Sequence, residues 1–430
     1  MTDYLQLLLI TVVLLLVSSV LATRRRRRDG EPPLDIGWIP FIGLAIEFRK
    51  DPLKFLKSRK ERYGDVFTVC IAGRYITFIM DPTQYQYVIR HGKKLDFHEF
   101  SNEMASRTFH YPRLSEAKFP QLRDGMSKIY KLMQGKPLDT LTDSMMMNLQ
   151  HVFKWKFSQA TDWRAEKMYQ LCCSIMFEAS FMTLYGRDPV ADGRKVISEM
   201  REKFTKFDAK FPYLVINIPI VLLGDTKTIR EELIAFFMPH KMDARRDLAE
   251  VIQARKDILE HYDVLRDNDK AGSAISESLR LCSASMNIRL VQEDFQLELE
   301  DDQTVNLRKG DFVALYPPTL HRDPEVFEDP EKYKFDRFVE DGKEKTTFYK
   351  KGKKLKTFLM PFGSGSSKCP GRFFAINEIK HFLAVLLMYL DMEIAEDKIV
   401  HEDNSRAGLG ILLPDSDIMF HFRHRKLDFS

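Results

Sequence analysis

The chain has 430 residues, 44% of them hydrophobic and 30% charged, a globular composition with room for a large core rather than that of a disordered chain. Its formal net charge of +4 is small for this length and argues against a strongly basic nucleic-acid-binding face. The five cysteines, Cys70, Cys172, Cys173, Cys282 and Cys369, are irregularly spaced, imply no disulfide framework and favour a reducing, cytosol-facing compartment.

Tyr4 to Thr23 carries no charge and is mostly Leu, Val and Ile. A helix of that length rises about 30 Å, the thickness of a bilayer core. The arginines Arg24 to Arg28 follow the apolar run instead of preceding it. That order predicts a retained single-pass anchor with the basic stop, and the body after it, in the cytosol. The alternative is a buried core helix with a basic tail. Residues 1–28 are thus read as anchor and 29–50 as a Pro-rich linker, since Glu31-Pro32-Pro33-Leu34 and Gly37-Trp38-Ile39-Pro40 resist helix and central strand. Residues 51–430 form the body.

Pro52 to Tyr63 reads as an amphipathic helix, and Val66 to Met80 as two short strands around Ala72-Gly73-Arg74. From about Met126 to Tyr262 the texture is helical, notably Met145–Phe157 and Met168–Tyr185. Ser273-Ala274-Ile275-Ser276 runs into a helix carrying Glu277. Phe295 to Leu299 and Phe312 to Tyr316 read as strands. The last helix, about Phe373 to Tyr389, is apolar on most faces and is expected to be buried. A lysine run, Lys350 to Lys356, is either a solvated loop or a docking site for an acidic partner.

Pro361-Phe362-Gly363-Ser364-Gly365-Ser366-Ser367-Lys368-Cys369-Pro370-Gly371-Arg372 is a glycine-rich loop ending in a cysteine at the start of a helix. Glycines let backbone pass close to a flat cofactor. The helix start turns its N–H groups toward the sulfur and stabilises a thiolate. The alternative is a loop holding an inert cysteine. No zinc spacing, phosphate-binding loop or serine-hydrolase elbow is present.

The loop resembles the haem signature of the cytochrome P-450 superfamily, Phe-x-x-Gly-x-x-x-Cys-x-Gly, through Phe362, Gly365, Cys369 and Gly371. The resemblance implies a mainly α fold with a small β region and haem b ligated by Cys369. It also implies electrons from NADPH through a reductase, and O2 as co-substrate. Such a thiolate ligand favours O–O cleavage. The usual Arg or His two places before the cysteine is Ser367 here, and Lys368 is the nearest substitute for its contact with a haem propionate. Glu277-Ser278-Leu279-Arg280 matches the family's Glu-x-x-Arg helix, and Phe335-Asp336-Arg337-Phe338 matches the segment that donates a second arginine. Glu277, Arg280 and Arg337 are expected to form a buried ionic cluster.

Ser283 to Arg289, Lys345 to Tyr349 and Ser405 to Gly410 look like the sterol 7α-hydroxylase branch of bile-acid synthesis. Ile216 to Ile220 and Pro414 to Asp417 look more like its oxysterol (25-hydroxycholesterol) member than its cholesterol member. The resemblance implies an endoplasmic-reticulum membrane enzyme acting on an oxysterol or related steroid. By analogy Ser283, Ala284, Ser285 and Ile288, with Ala407, Gly408 and Leu409, line the substrate pocket; the alternative is that they only pack the core.

One family element is missing. No stretch before Glu277 combines a small residue, an acid or amide and a threonine in an apolar helix, the element that faces bound oxygen. Gly224-Asp225-Thr226 sits in an interhelical turn, and Ala271-Gly272-Ser273 lacks the acid and the threonine. The reading is a body truncated internally near 272–273. Two rivals stay open, a hydroxylase of another sterol position and a non-catalytic haem- or sterol-binding membrane variant. Transcript reads across the codons for Gly272 and Ser273 are expected to reveal an exon that fits between them; a continuous exon there removes the truncation reading.

Overall fold

The alternating residues after Tyr63 close into a hairpin in the computed structural model, Val66–Ile71 against Arg74–Ile79 with Phe67 opposite Phe78. The structure describes residues 25–39, 42–109, 129–158, 162–187, 193–216, 218–237, 245–254, 273–300 and 303–425, with Thr11 and Met242. The hairpin is the middle of a six-stranded sheet. Leu34–Asp35 lies parallel on one side of it. Phe312–Leu315 lies parallel on the other, followed by Asn287–Val291 and Leu95–Asp96, each antiparallel to its neighbour. Phe55, Phe67, Phe78, Phe312 and Tyr316 fill one side of this sheet. Burying side chains of that size is worth about 1.5–3 kcal/mol each.

Leu34–Asp35 corrects the linker reading. It is an edge strand, where flanking prolines are tolerated because one row of N–H groups faces away from the sheet. The Thr68 N–H donates to the Pro33 carbonyl at 2.8 Å. The basic run is likewise tied to the body. Arg25 donates to both Asp311 oxygens at 2.6 and 2.5 Å and lies over the Tyr75 ring, and Arg28 pairs with Asp294. The anchor reading, Tyr4 to Thr23, lies outside the described residues apart from Thr11. Among the described residues no helix is long and apolar enough to cross a membrane.

The helical readings land close to their expected places. Pro52–Tyr63 is a helix, capped by the Asp51 carboxylate on the Lys54 N–H. Met145–Phe157 is the second half of Gly135–Phe157, and Met168–Tyr185 is helical throughout. Gly224-Asp225 is the turn before Thr226–Phe236, which rules it out as part of an apolar helix. Helix Gly135–Phe157 packs against Met168–Tyr185 and Arg372–Tyr389 through Met145, Leu149, Phe153, Ile175, Phe382 and Val385.

The last helix corrects an expectation. Arg372–Tyr389 is apolar on most faces, yet only Phe374, Phe382 and Val385 are buried. Leu383, Leu387 and Met388 are 41%, 57% and 46% exposed. A helix of this composition is designed by its sequence to be covered on more than one side. No described element covers this one there. On its packed side Glu378 accepts a hydrogen bond from the Ser180 hydroxyl at 2.6 Å, and burial pushes its carboxyl up to about 7. The ordinary value is 4.5, so the fold loses stability as pH rises from there to about 7, as the buried group ionises against its surroundings. Glu378→Gln keeps the hydrogen-bond acceptor and removes the charge. It is expected to raise the melting temperature at pH 8 and leave it nearly unchanged at pH 4; equal effects at both pH values would refute this.

Candidate functional site

On helix Ser273–Cys282 an i, i+3 spacing turns Glu277 and Arg280 to the same, inward side, and both are fully buried. Arg280 donates through Nε to Glu277 Oε2 at 2.8 Å and through Nη2 to Oε1 at 3.0 Å. Arg337 Nε reaches the same Oε1 at 2.8 Å, and the Lys334 N–H reaches it at 3.0 Å. Burial alone would raise the Glu277 pKa; the Arg280 and Arg337 hydrogen bonds outweigh it and hold the carboxyl below its usual range. The expected cluster of Glu277, Arg280 and Arg337 is thus assembled.

The cluster extends to the cysteine loop. Arg280 Nη1 donates to the His321 carbonyl at 2.5 Å, and the guanidinium lies over the Phe327 ring. His321 is fully buried, and burial together with the Arg280 charge pushes its pKa down to about 3, so the ring is neutral. Its Nε2 accepts from the Met360 N–H at 3.0 Å, just ahead of the loop.

Within the loop the Cys369 N–H donates to the Phe362 carbonyl at 2.8 Å, closing a ring around Gly363 to Lys368. Gly365 has φ +60°, and a Cβ there would meet Ile89 Cγ2 at 2.8 Å, so only glycine lets the loop lie against this neighbour. Lys368 and Cys369 are exposed, three residues or fewer from Gly371, which caps helix Arg372–Tyr389.

Sequence reasoning missed Arg289, which it quoted only as the end of a motif. Arg289 is 2% exposed on strand Asn287–Val291. Its Nη2 donates to the Ser364 carbonyl and hydroxyl oxygens at 3.1 and 3.2 Å. The hydroxyl in turn bonds Asn287 Oδ1 at 2.9 Å. Arg289 Nε has no partner among the described residues, and burial lowers the pKa without a carboxylate in contact. A buried guanidinium whose one acting anion, Asp96, makes no hydrogen bond to it, and which is aimed at the cysteine loop, fits a ligand with carboxylate substituents such as haem. Lys368 is solvent-facing, as Cys369 is, and Arg289 is a second, buried cation beside the loop. The exposed Cys369 thiol supplies the donor such a group needs, and the residues present fit it.

The two segments read as substrate-lining are 120 or so residues apart in the chain, on the count implied by their numbering, and meet in space. Ala284 N–H donates to the Gly410 carbonyl and Gly408 N–H to the Ala284 carbonyl, both at 2.9 Å; Met286 N–H reaches the Gly408 carbonyl at 3.0 Å. Ser285 bridges Gly408 and Ser283 bridges Ile411. The Ser283 hydroxyl lies 3.5 Å from the Pro361 carbonyl at the base of the loop. Arg406 is tied to Asp208, fixing the turn before Ala407. Ser283 and Ala284 are buried, Ser285, Ala407, Gly408 and Leu409 are half-buried, and Ile288 is packed in the sheet core with Phe312.

The lysine run is not a free basic surface. Lys350 holds Asp323 and Glu325, Lys351 holds Asp81, and Lys353 holds Glu300. Only Lys354 and Lys356 of that run have no such partner among the described residues.

The family model for cytochrome P450 matches the chain in two stretches, residues 32–273 and 271–422. A mouse protein named cytochrome P450 7B1 is 40% identical over 462 aligned residues, covering 91% of this chain and 90% of that protein. A rat 25-hydroxycholesterol 7-alpha-hydroxylase is 37% identical over 79% of this chain and 98% of itself. A pig cytochrome P450 7A1 is 36% identical, covering 93% and 94%. Among solved structures, retinoic acid bound cyanobacterial CYP120A1 shares the fold at TM-score 0.65 and 17% identity, over 93% of this chain and 100% of that one.

Glu277→Ala would strand two guanidiniums and is expected to cost about 3–5 kcal/mol in urea denaturation at pH 7. Because the folded pKa is depressed, the contribution of Glu277 is present above about 4.5 and is lost as pH falls through the folded value. The variant's deficit should therefore shrink in acid; a constant deficit would contradict it.

Proposed function

The chain belongs to the cytochrome P450 family of monooxygenases, and we propose that its site is built to insert one oxygen atom from O2 at the 7α position of an oxysterol or related steroid. The observation that carries the reading is the pairing of 282–286 with 408–412 beside the cysteine loop, in a chain with relatives named 25-hydroxycholesterol 7-alpha-hydroxylase and cholesterol 7-alpha-monooxygenase. Cys369 would ligate the haem iron, Arg289 would meet an anionic substituent of the haem, and the Phe362–Cys369 ring would hold the thiolate in place. Bound haem supplies the oxygen activation, with electrons from NADPH through a reductase. The chain's own residues hold the group and shape an apolar wall, half-buried at Leu409 and Met286, against which a rigid steroid body fits.

The membrane belongs to the same reading. Trp38 is 98% exposed, and Ile39, Ile42, Ile46, Val221 and Leu222 are also exposed. Arg49 reaches Tyr213 at 3.4 Å, bringing the region of Ile46 beside the segment that leads to Val221. Scattered apolar residues are ordinary, but a patch beside an expected anchor suits the interface of the endoplasmic-reticulum bilayer.

A second reading concerns this chain in particular. The family match breaks into two stretches that meet at 271–273. The alignment to the mouse relative spans more residues than this chain has. The outer face of Arg372–Tyr389 is apolar and uncovered among the described residues. Together they support loss of the helix that would face the haem from the other side. The chain would then hold haem weakly and turn over slowly.

The test is the reduced, CO-bound absorbance band and 7α-oxidation of 25-hydroxycholesterol with NADPH and reductase. Each is measured for this chain and for a chain carrying the mouse relative's intervening segment. The restored chain is expected to show a thiolate band that Cys369→Ala abolishes, together with 7α product; this chain is expected to retain less than about a tenth of that turnover, a barrier change of at least about 1.4 kcal/mol. Equal turnover by both chains would overturn the impairment. A restored chain that holds haem and oxidises no steroid would overturn the substrate class.

A further inference from the structure

Helices Gly135–Phe157, Met168–Tyr185 and Gly193–Asp208 border a groove of about 810 Å³ that shares no lining residue with the cysteine loop. Its described lining carries Lys154, Arg187, Arg194, Arg245 and His151 and no acidic side chain. Among the described residues Glu178 accepts from Arg194 Nε at 3.1 Å, and Arg245 donates to the Tyr185 and Gly186 carbonyls. Arg194 Nη2 also lies 3.0 Å from His151 Nε2, and Arg187 spends its Nη2 on the neutral Asn148 Oδ1 at 3.2 Å. Lys154 is exposed and makes no ion pair among the described residues. His151 is held below its ordinary pKa by burial and by the Arg194 and Arg187 charges, which reports the positive field of the groove.

The remaining lining is apolar. Trp155 is 55% exposed with the Arg194 guanidinium 3.9 Å from its ring centroid, and Met182, Val196 and Ile197 complete the wall. A concave site with an aromatic and aliphatic wall and the cations Lys154, Arg187 and Arg194 at its edge suits a molecule with one anionic head and an apolar body. A flat acidic protein surface would leave the concavity unfilled, and a polyphosphate would leave Trp155 and Ile197 unsatisfied.

We propose that this groove binds an amphipathic organic anion, a carboxylate or sulfate head on a long acyl or sterol body, at a site separate from the cysteine loop. The head lies among Arg187, Arg194 and Lys154, and the body lies on Trp155 and Ile197. The volume is in the range of roughly 300–1,000 Å³ typical of small-molecule sites.

The test uses the full chain and reads quenching of tryptophan fluorescence, with Trp155→Phe identifying the reporting ring. The probes are laurate and cholesterol sulfate, each against its uncharged partner, dodecanol or cholesterol, and against acetate and inorganic sulfate alone. At least one amphipathic anion is expected to bind ten times or more tighter than its uncharged partner, and neither head alone is expected to compete. The tighter of the two identifies the body as acyl or sterol. Lys154→Glu with Arg187→Glu is expected to weaken that anion at least tenfold without shifting the urea midpoint. If this pair fails to fold, Lys154→Glu alone, on an exposed and unpaired side chain, is expected to weaken it about threefold. Equal binding of the uncharged partners, displacement by acetate or sulfate alone, or insensitivity to Lys154→Glu in a folded protein would overturn the proposal.

Discussion

A carboxylate without exposure to water holds the cysteine side of this molecule together. Glu277 receives two hydrogen bonds from Arg280, one from Arg337 and one from the Lys334 backbone. Four donors are enough to keep it ionised where burial alone would neutralise it. Each arginine then spends its other nitrogens on carbonyls: Arg280 on His321, Arg337 on Glu328, Asp329 and Lys332. One charge thereby fixes a helix, a turn and a long irregular segment. The neutral His321 passes the constraint to Met360, and the cysteine loop starts there.

The cation beside the loop is balanced differently. Arg289 is as buried as the Glu277 cluster but has neutral oxygens for partners and one unpartnered nitrogen. Within the chain this is a cost of desolvation left partly unmet. A bound group with carboxylates would offset it, and its retention would then be linked to the stability of this corner. The last helix carries the reverse defect. Leu383, Leu387 and Met388 present apolar surface with nothing described to exclude water. The cysteine loop is thus held firmly by the Glu277 cluster, while this face of the last helix has no described element packed on it.

Much of this was legible in order of residues. Helix periods placed Pro52–Tyr63 and Met168–Tyr185 to the residue, because amphipathic spacing, a Pro-start and a following glycine are local signals. The cysteine loop and the Glu277, Arg280 and Arg337 cluster were legible through their resemblance to the family's motifs, since the partners lie up to 60 residues apart. The edge strand Leu34–Asp35 was not, because prolines mask a strand that exists only through its neighbour Val66–Ile71. The solvated-loop reading of the lysine run holds, since Lys351, Lys353, Lys354 and Lys356 are exposed, but its ion pairs with Asp81, Glu300 and Asp323 were not legible because those carboxylates come from far along the chain.

The sequence by itself determined the family, through matches along its second half, and the local elements, which depend on residues a few places apart. Only the tertiary structure decided that Arg289 points its unmatched charge at the loop, that 282–286 runs beside 408–412, and that one face of Arg372–Tyr389 stays open. These depend on which distant groups share a buried volume. Burial is what turns an ordinary arginine into a cation in need of an anion, and an ordinary leucine into an uncovered face.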